Sequence, residues 1–455
     1  MLMKKGWASL LLVSCLAMVM TACGGNATQV SSGSPAASSE SESGSAGGGG
    51  ESAKPIKLVF WNTSYPTIDE NDKMKKKEDF YIYKAIKRYE EAHPGITIEI
   101  QDIPDGTNAM TKFQTAGIAQ NGPDVTNLWS GNYTLDLKQY IQPLNEYLDQ
   151  EVINSMTGWN AVTENFADQG TIYGVPDGSD GTIGILYNKQ LFAKAGVDPE
   201  ANPPRNAQQF MDMLQKIKDS GVTPIGSEPD GDFVYFLDYW LAQTVGISGI
   251  NDIVNGKMNF NNPKLEEVMN GYLQLYKNGY VMNDQPQTQF YNGKVALIFG
   301  GYGYLNEARA ALGDNLGMMK IPDFSESAAI RGGGIGGTGA AFVVSKSSKH
   351  PEEALKFILF LTSEEEQIAR FKDGYGKLLN YKNVDLSTVS DDPFVVKQQE
   401  WASEPSTIFW PDNIYPSELS GYISSMNMLV IKQQLPVSDF LTKLDQKRDE
   451  LLAQK

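Results

Sequence analysis

His93 and His350, with Cys15 and Cys23, are all this chain offers for imidazole or thiolate chemistry. Each histidine stands directly before a proline, at a position that reads as an exposed turn. Both cysteines fall within the first two dozen residues, which excludes a disulfide framework and a Cys-rich zinc or iron–sulfur site. No P-loop, G-x-S-x-G elbow or H-E-x-x-H motif is present. Gly332 to Gly337 formally fits G-x-G-x-x-G, but the residues that follow, AAFVVS, read as a strand. A dinucleotide site needs a helix there, to place its N-terminus against the pyrophosphate. Asp177-Gly178-Ser179-Asp180-Gly181 lacks the ligand spacing and closing glutamate of an EF-hand. No metal or cofactor is expected. Glycoside hydrolysis needs only two carboxylates, so with 55 acidic residues a secreted glycosidase is the enzymatic alternative to a binding protein.

The residues that stand out are aromatics beside small polar neighbours at the edges of loops. Trp61-Asn62 ends the first apolar run, and Trp129 follows Gly122-Pro123-Asp124. Tyr235, Tyr239 and Trp240 lie in VYFLDYWLAQ, Tyr302 and Tyr304 in GGYGY, and Trp410 and Tyr415 in FWPDNIYPS. A sugar ring presents apolar C–H faces and polar hydroxyl edges. Aromatic platforms flanked by Asp, Asn and Arg side chains suit it, because flat rings bury area with little loss of rotamer freedom while planar polar groups fix orientation. Core packing is the competing explanation for each ring, above all for the Tyr235–Trp240 cluster.

The 455 residues carry 38 Lys plus Arg against 55 Asp plus Glu, a formal charge of −17. Such an acidic balance argues against a nucleic-acid binder, which needs a basic surface. The length suggests more than one globular domain or one large one, and 41% hydrophobic residues are enough to build real cores. At the start, Lys4 and Lys5 precede a 14-residue apolar run from Trp7 to Met20. The run is too short to span a bilayer comfortably, and the layout is that of a secretory signal over residues 1–22. The following Thr21-Ala22-Cys23-Gly24 resembles a bacterial lipobox, which implies a lipid on Cys23. Met20 stands where such boxes usually carry Leu. Residues 23–53, rich in Gly, Ser, Ala and Glu, cannot bury enough apolar area to offset ordering. They read as a tether reaching roughly 30 Å.

From Lys54 onward the pattern becomes strand, helix, strand, helix. IKLVFW, residues 96–100 and the stretch after Pro123 read as strands. Residues 78–92 read as a helix with Phe80, Tyr83, Ile86 and Tyr89 on one side, stopped by His93-Pro94. Residues 137–148 are amphipathic and predict another helix. The grammar restarts at 183–187, with Asn206 and Asn262-Pro263 as helix starts. Residues 295–299 and 341–344 read as strands, and 351–361, 363–371 and 437–453 as helices. Two α/β units joined by glycine-flanked crossings is the economical architecture.

KLVFWN, GPDV, IYGVPDGSDGTIGILYNKQLF, FYNGKVALIFGGYGYL and GGTGAAFVVSKSSKHPEEALKFILFLTSEE occur in the order seen in one family. The chain resembles the extracellular solute-binding proteins of bacterial ABC-type sugar importers, the maltose-binding-protein-like group. The resemblance covers nearly all of 54–455. It implies a two-lobed periplasmic-binding-protein-like α/β fold with hinge strands around a central ligand cleft. One lobe would comprise 54–175 plus 338–385 and the other 176–337 plus 386–455. It further implies a non-catalytic monomer held outside the cell membrane by its lipid alone, which gives a carbohydrate, such as an oligosaccharide, to permease subunits. A peptide or other small solute, or a sensor partner, are the variants. The ligand-facing positions it implies are Trp61, Asn62, Trp129, Asp180, Tyr302 and Arg331, with Trp410 a looser match; Trp240 is added from the aromatic clusters. Asp124 is either a ligand residue or a turn cap.

Overall fold

The computed structural model describes residues 54–454 except 69–73, 104–105, 167–169, 229–235, 302–303, 375–376 and 405. The expected signal segment, Cys23 and the expected tether lie outside the described residues, as do Tyr235 and Tyr302. No helix among the described residues is long and apolar enough to cross a membrane.

The chain opens with β1 (Ile56–Asn62), α1 (Tyr81–Ala92) and β2 (Ile96–Asp102), the strands parallel from Ile56↔Ile96 to Asn62↔Asp102. Helix α1 buries Tyr81, Ile82, Ala85, Ile86 and Tyr89. It ends at His93, whose N–H closes the last turn on the Tyr89 carbonyl at 2.9 Å, because Pro94 prevents continuation. Next come α2 (Gly106–Ile118), β3 (Val125–Trp129) and the one-turn α3 (Asn132–Leu135). The helix expected over 137–148 does not form. A 3-10 turn, Lys138–Tyr140, is followed by Ile141 in extended conformation, since Pro143 lacks a donor and disfavours helical backbone before it. Leu144 and Leu148 are buried all the same, so their apolar spacing serves an irregular segment. β4 (Val175–Pro176) closes this first pass.

Beyond it lie β5 (Thr182–Asn188), α4 (Ala207–Asp219), β6 (Thr223–Gly226), α5 (Asp238–Val254) and α6 (Pro263–Lys277). The Asn206 side chain caps α4 by accepting from the Gln209 N–H, and Asn262 caps α6 with Pro263 in its first turn. β7 (Val281–Met282), β8 (Val295–Gly300), β9 (Leu316–Lys320) and β10 (Ile335–Gly336) complete the second pass. The chain then returns as β11 (Ala340–Val344), α7 (Pro351–Leu361) and α8 (Glu364–Lys372), the last capped by Ser363. It leaves again into α9 (Pro393–Ala402), β12 (Ile408–Phe409), α10 (Pro411–Ile414), α11 (Ser417–Ile431) and α12 (Val437–Ala453).

Two sheets result, ordered β2-β1-β3-β11-β4 and β12-β10-β5-β8-β6-β7, with β9 also on β5. Each has its own core, one around Phe60, Tyr89, Phe342 and Phe357, the other around Tyr187, Phe210, Trp240, Tyr272 and Phe440. Two sheets with separate cores make two lobes, and the chain passes between them three times. The glycine-rich stretch before Ala340 runs into β10 and β11 with no helix after it.

Candidate functional site

The three passages between lobes lie side by side. Asp177 N–H donates to the Ala340 carbonyl at 3.0 Å, Asp180 N–H to Gly337 at 2.9 Å and Gly337 N–H to Gly181 at 3.1 Å. Ser179 and Leu378 exchange two backbone hydrogen bonds at 2.9 and 2.7 Å. Such close approach requires glycine. A methyl group on Gly336 would overlap the Gly181 carbonyl, and one on Gly339 would overlap the Asp180 carboxylate. Strands β1 and β3 are parallel and Trp129 pairs with Ala340, the first residue of β11. The carboxyl ends of β1 and β3 therefore point at the crossings, the edge where open α/β sheets place their ligands.

A buried charge cluster anchors this edge. Asp177 is fully buried and accepts from Arg370 Nη1 at 2.5 Å and the Tyr65 hydroxyl at 3.0 Å, with Lys377 Nζ at 3.4 Å. Burial pushes its pKa up, but Lys377, Arg370 and the hydrogen bonds from Tyr65 and Arg370 together outweigh it and hold it below the ordinary value. Asp180 lies 3.8 Å from Lys377. Its carboxyl is pushed up, by burial first and Asp177 second, against the pull of Lys377 and the Gly339 N–H.

The expected site residues scatter. Trp129, at the end of β3, is 42% exposed and meets Tyr133 edge-on, with ring centroids 5.2 Å apart. Together with Asp180 it stands at the crossings. Trp61 is buried in the first lobe, its indole N–H donating to Gln101 Oε1 at 3.1 Å and its ring covered by the Lys112 ammonium at 4.3 Å. Asn62 is spent on shaping the turn after β1: it donates to the Tyr65 carbonyl and accepts from its N–H. Asp124 precedes β3, whose five residues put it roughly 17 Å from the crossings. It caps the turn, accepting from Val59 N–H at 2.8 Å and Ser348 Oγ at 2.5 Å. Arg331 is paired with Glu326 and, at 3.7 Å, with Asp323 on the second lobe.

Trp240 is not a surface for a ligand. It has no exposed area, packs at right angles to Phe236, and donates its indole N–H to the Pro322 carbonyl at 3.0 Å. Helix α5 is apolar nearly all round, so its aromatics have core on every side. Trp410 is likewise buried, and its indole N–H has no hydrogen-bond partner among the described residues.

Two features escaped the sequence reading. One is a cavity of about 510 Å³ bounded by both lobes and all three crossings, with Thr157, Ser179, Thr338, Tyr381, Glu404 and Phe409 among its lining. None of the eight expected ligand residues that are described lines it. The other is a lobe-to-lobe contact between residues 130–136 and 413–420. No local signal marks either, because their residues are drawn from distant parts of the chain. The crossing glycines were the available clue.

A family model described as bacterial extracellular solute-binding protein matches residues 74–368. That is well over half the chain, and the chain belongs to this family. It is similar to an uncharacterized ABC transporter extracellular-binding protein of Pyrococcus horikoshii, 22% identical over 62% of this chain; the match spans 64% of that relative, less than two thirds of it. It is also similar to the multiple sugar-binding protein of Streptococcus mutans, 24% identical over 68% of this chain and 76% of the relative. Among solved structures, a chitin oligosaccharide binding protein shares the fold with a TM-score of 0.73 at 20% identity, covering 87% of this chain and 98% of that one.

Proposed function

We propose that this protein captures a carbohydrate, most simply an oligosaccharide, between its lobes and delivers it unchanged to an ABC permease. The observation that carries the reading is Trp129, a large ring left 42% exposed beside the crossings, with Tyr133 braced against it and Asp180 near the same edge. A ring so placed offers a sugar face a platform, and the nearby carboxyl accepts from hydroxyls. The family membership and the sugar named for the Streptococcus mutans relative support the ligand class. We assign one lobe to 54–175 plus 338–385 and the other to 176–337 plus 386–455. Strand membership of the two sheets supports this division, with Pro176 at the end of β4 as the exception. Closure about the crossings would enclose the solute, driven by its better contacts in the closed state. The lipobox-like Cys23 and the tether support anchoring by lipid to the outer face of the membrane, close to the permease.

Calorimetric titration with a panel of mono- and oligosaccharides tests this. We expect Trp129→Ala to weaken binding by roughly 30-fold or more, about 2 kcal/mol for a central aromatic anchor. Its thermal midpoint should stay near that of the unsubstituted protein, because the ring is exposed. A panel in which no carbohydrate binds, while a peptide does, would overturn the assignment.

A further inference from the structure

The second lobe touches the first through α10 and the start of α11. Asn413 Nδ2 donates to Ser130 Oγ at 3.0 Å, and Asn132 Nδ2 donates to the Ile414 carbonyl. The Tyr133 hydroxyl donates to Ser420 Oγ at 3.2 Å, and Ser417 N–H and Oγ both donate to Asp136 Oδ2 at 3.2 and 2.9 Å. Gly131 leaves room for this approach, since a side chain there would strike the Asn413 backbone. Ser130 in turn donates to the Thr338 carbonyl at 2.6 Å, which ties the contact to a crossing.

Directly behind it lie two carboxyl groups. Asp238, in the first turn of α5, is fully buried, and Asp412 belongs to α10 itself. Asp238 Oδ1 accepts from the Tyr415 hydroxyl at 3.1 Å, while Asp238 Oδ2 and Asp412 Oδ1 are buried with no hydrogen-bond partner. The groups facing the pair are the Asp412 and Asn413 N–H groups, Tyr415 just after α10 and, across the contact, Tyr133, whose hydroxyl pKa both carboxyls help to raise after burial. Helix α6 packs against α5 with Tyr272, whose hydroxyl is taken by Asn427 at 3.1 Å. On α11, Glu418 faces Lys447 instead. No Lys, Arg or His among the described residues pairs with either carboxyl.

Two like charges without a cation do not stay buried together; one or both keep a proton. We propose that Asp238 and Asp412 remain protonated, singly or doubly, while the lobes touch, and that this proton seats α10 against residues 130–136, so that interlobe contact is proton-linked. Burial first, and the neighbouring charge second, raises Asp238 well above the ordinary 3.8; burial raises Asp412 to about 7. In the separated state Asp412 regains water and its ordinary value. The seated state then binds more protons, so its advantage is complete below about 3.8 and is lost as pH rises through about 7. For one proton the seated-to-separated ratio changes by at most about tenfold per pH unit.

Small-angle scattering of the solute-free protein on either side of pH 7 tests the coupling without reference to any sugar. We expect a compact radius of gyration on the acid side and a larger one on the alkaline side. Asp412→Asn, neutral at every pH, should stay compact throughout, and Asn132→Ala with Asn413→Ala should be expanded throughout. A radius independent of pH in the unsubstituted protein, or an undiminished pH response in Asp412→Asn, overturns the proposal. Should Asp412→Asn fail to fold, carbon-13 signals of the aspartate carboxyls in the unsubstituted chain decide. A signal assigned to Asp238 or Asp412 that titrates near 7 upholds the pair, and ordinary titration of both overturns it. Loss of sugar binding with this response intact would fault the proposed cargo alone.

Discussion

Asp177 and Asp238 are both fully buried carboxyls beside lobe-to-lobe connections, yet their surroundings drive them in opposite directions. Around Asp177 stand Arg370, Lys377 and the Tyr65 hydroxyl, and its pKa falls below the ordinary value despite burial. Around Asp238 stand a tyrosine and a second carboxyl, and its pKa rises. Burial alone therefore does not fix the charge of an acid; the sign of its nearest neighbours does. The first cluster is an ionic clamp, charged across the neutral range, where the chain passes between lobes. The second is conditional on pH.

The sharpest way to break this contrast is Arg370→Met, which withdraws the closest cation from Asp177. Removing one partner of a buried pair typically costs about 3–5 kcal/mol, read here as a lowered denaturation midpoint at neutral pH. Because the Asp177 pKa is lowered, its contribution is present above the ordinary 3.8 and disappears as pH falls below it. The deficit of the variant should therefore shrink in acid. Asp412→Asn acts in the opposite sense. The rise from 3.8 to about 7 bounds its effect at about 4 kcal/mol. Since Asp412 is only partly buried, a gain over the unsubstituted protein of about 1–2 kcal/mol is expected on the alkaline side of 7, fading toward acid in pH-dependent urea unfolding. The smallest effect belongs to Tyr415→Phe. It removes one hydrogen bond to Asp238, worth about 1 kcal/mol, and pushes that carboxyl further up, visible as a later alkaline transition.

Much of the secondary structure was legible because its determinants are local. Asn206, Asn262 and Ser363 cap helices within three residues of themselves, and His93-Pro94 ends α1 where a proline must. Periodicity misled at 137–148, where apolar spacing suited a helix but Pro143 did not. The site was less legible. Trp129 and Trp240 look equally available in sequence, yet one is exposed at a strand end and the other lies inside an apolar helix bundle. Asp124 sits beside a strand that leads to the crossings, but strand direction puts it at the far end.

The sequence by itself determined the alternation of strands and helices, the caps and breaks between them, and the glycines that let three passages lie together. Each of these depends on a residue's own backbone preferences and its neighbours within a turn. Tertiary structure alone decided which acids keep their charge and which rings meet solvent. Asp177 finds Arg370 at a separation of 193 residues, and Asp238 finds Tyr415 at 177. A carboxyl's protonation depends on the charge and water within a few ångströms of it, and only folding brings those neighbours there.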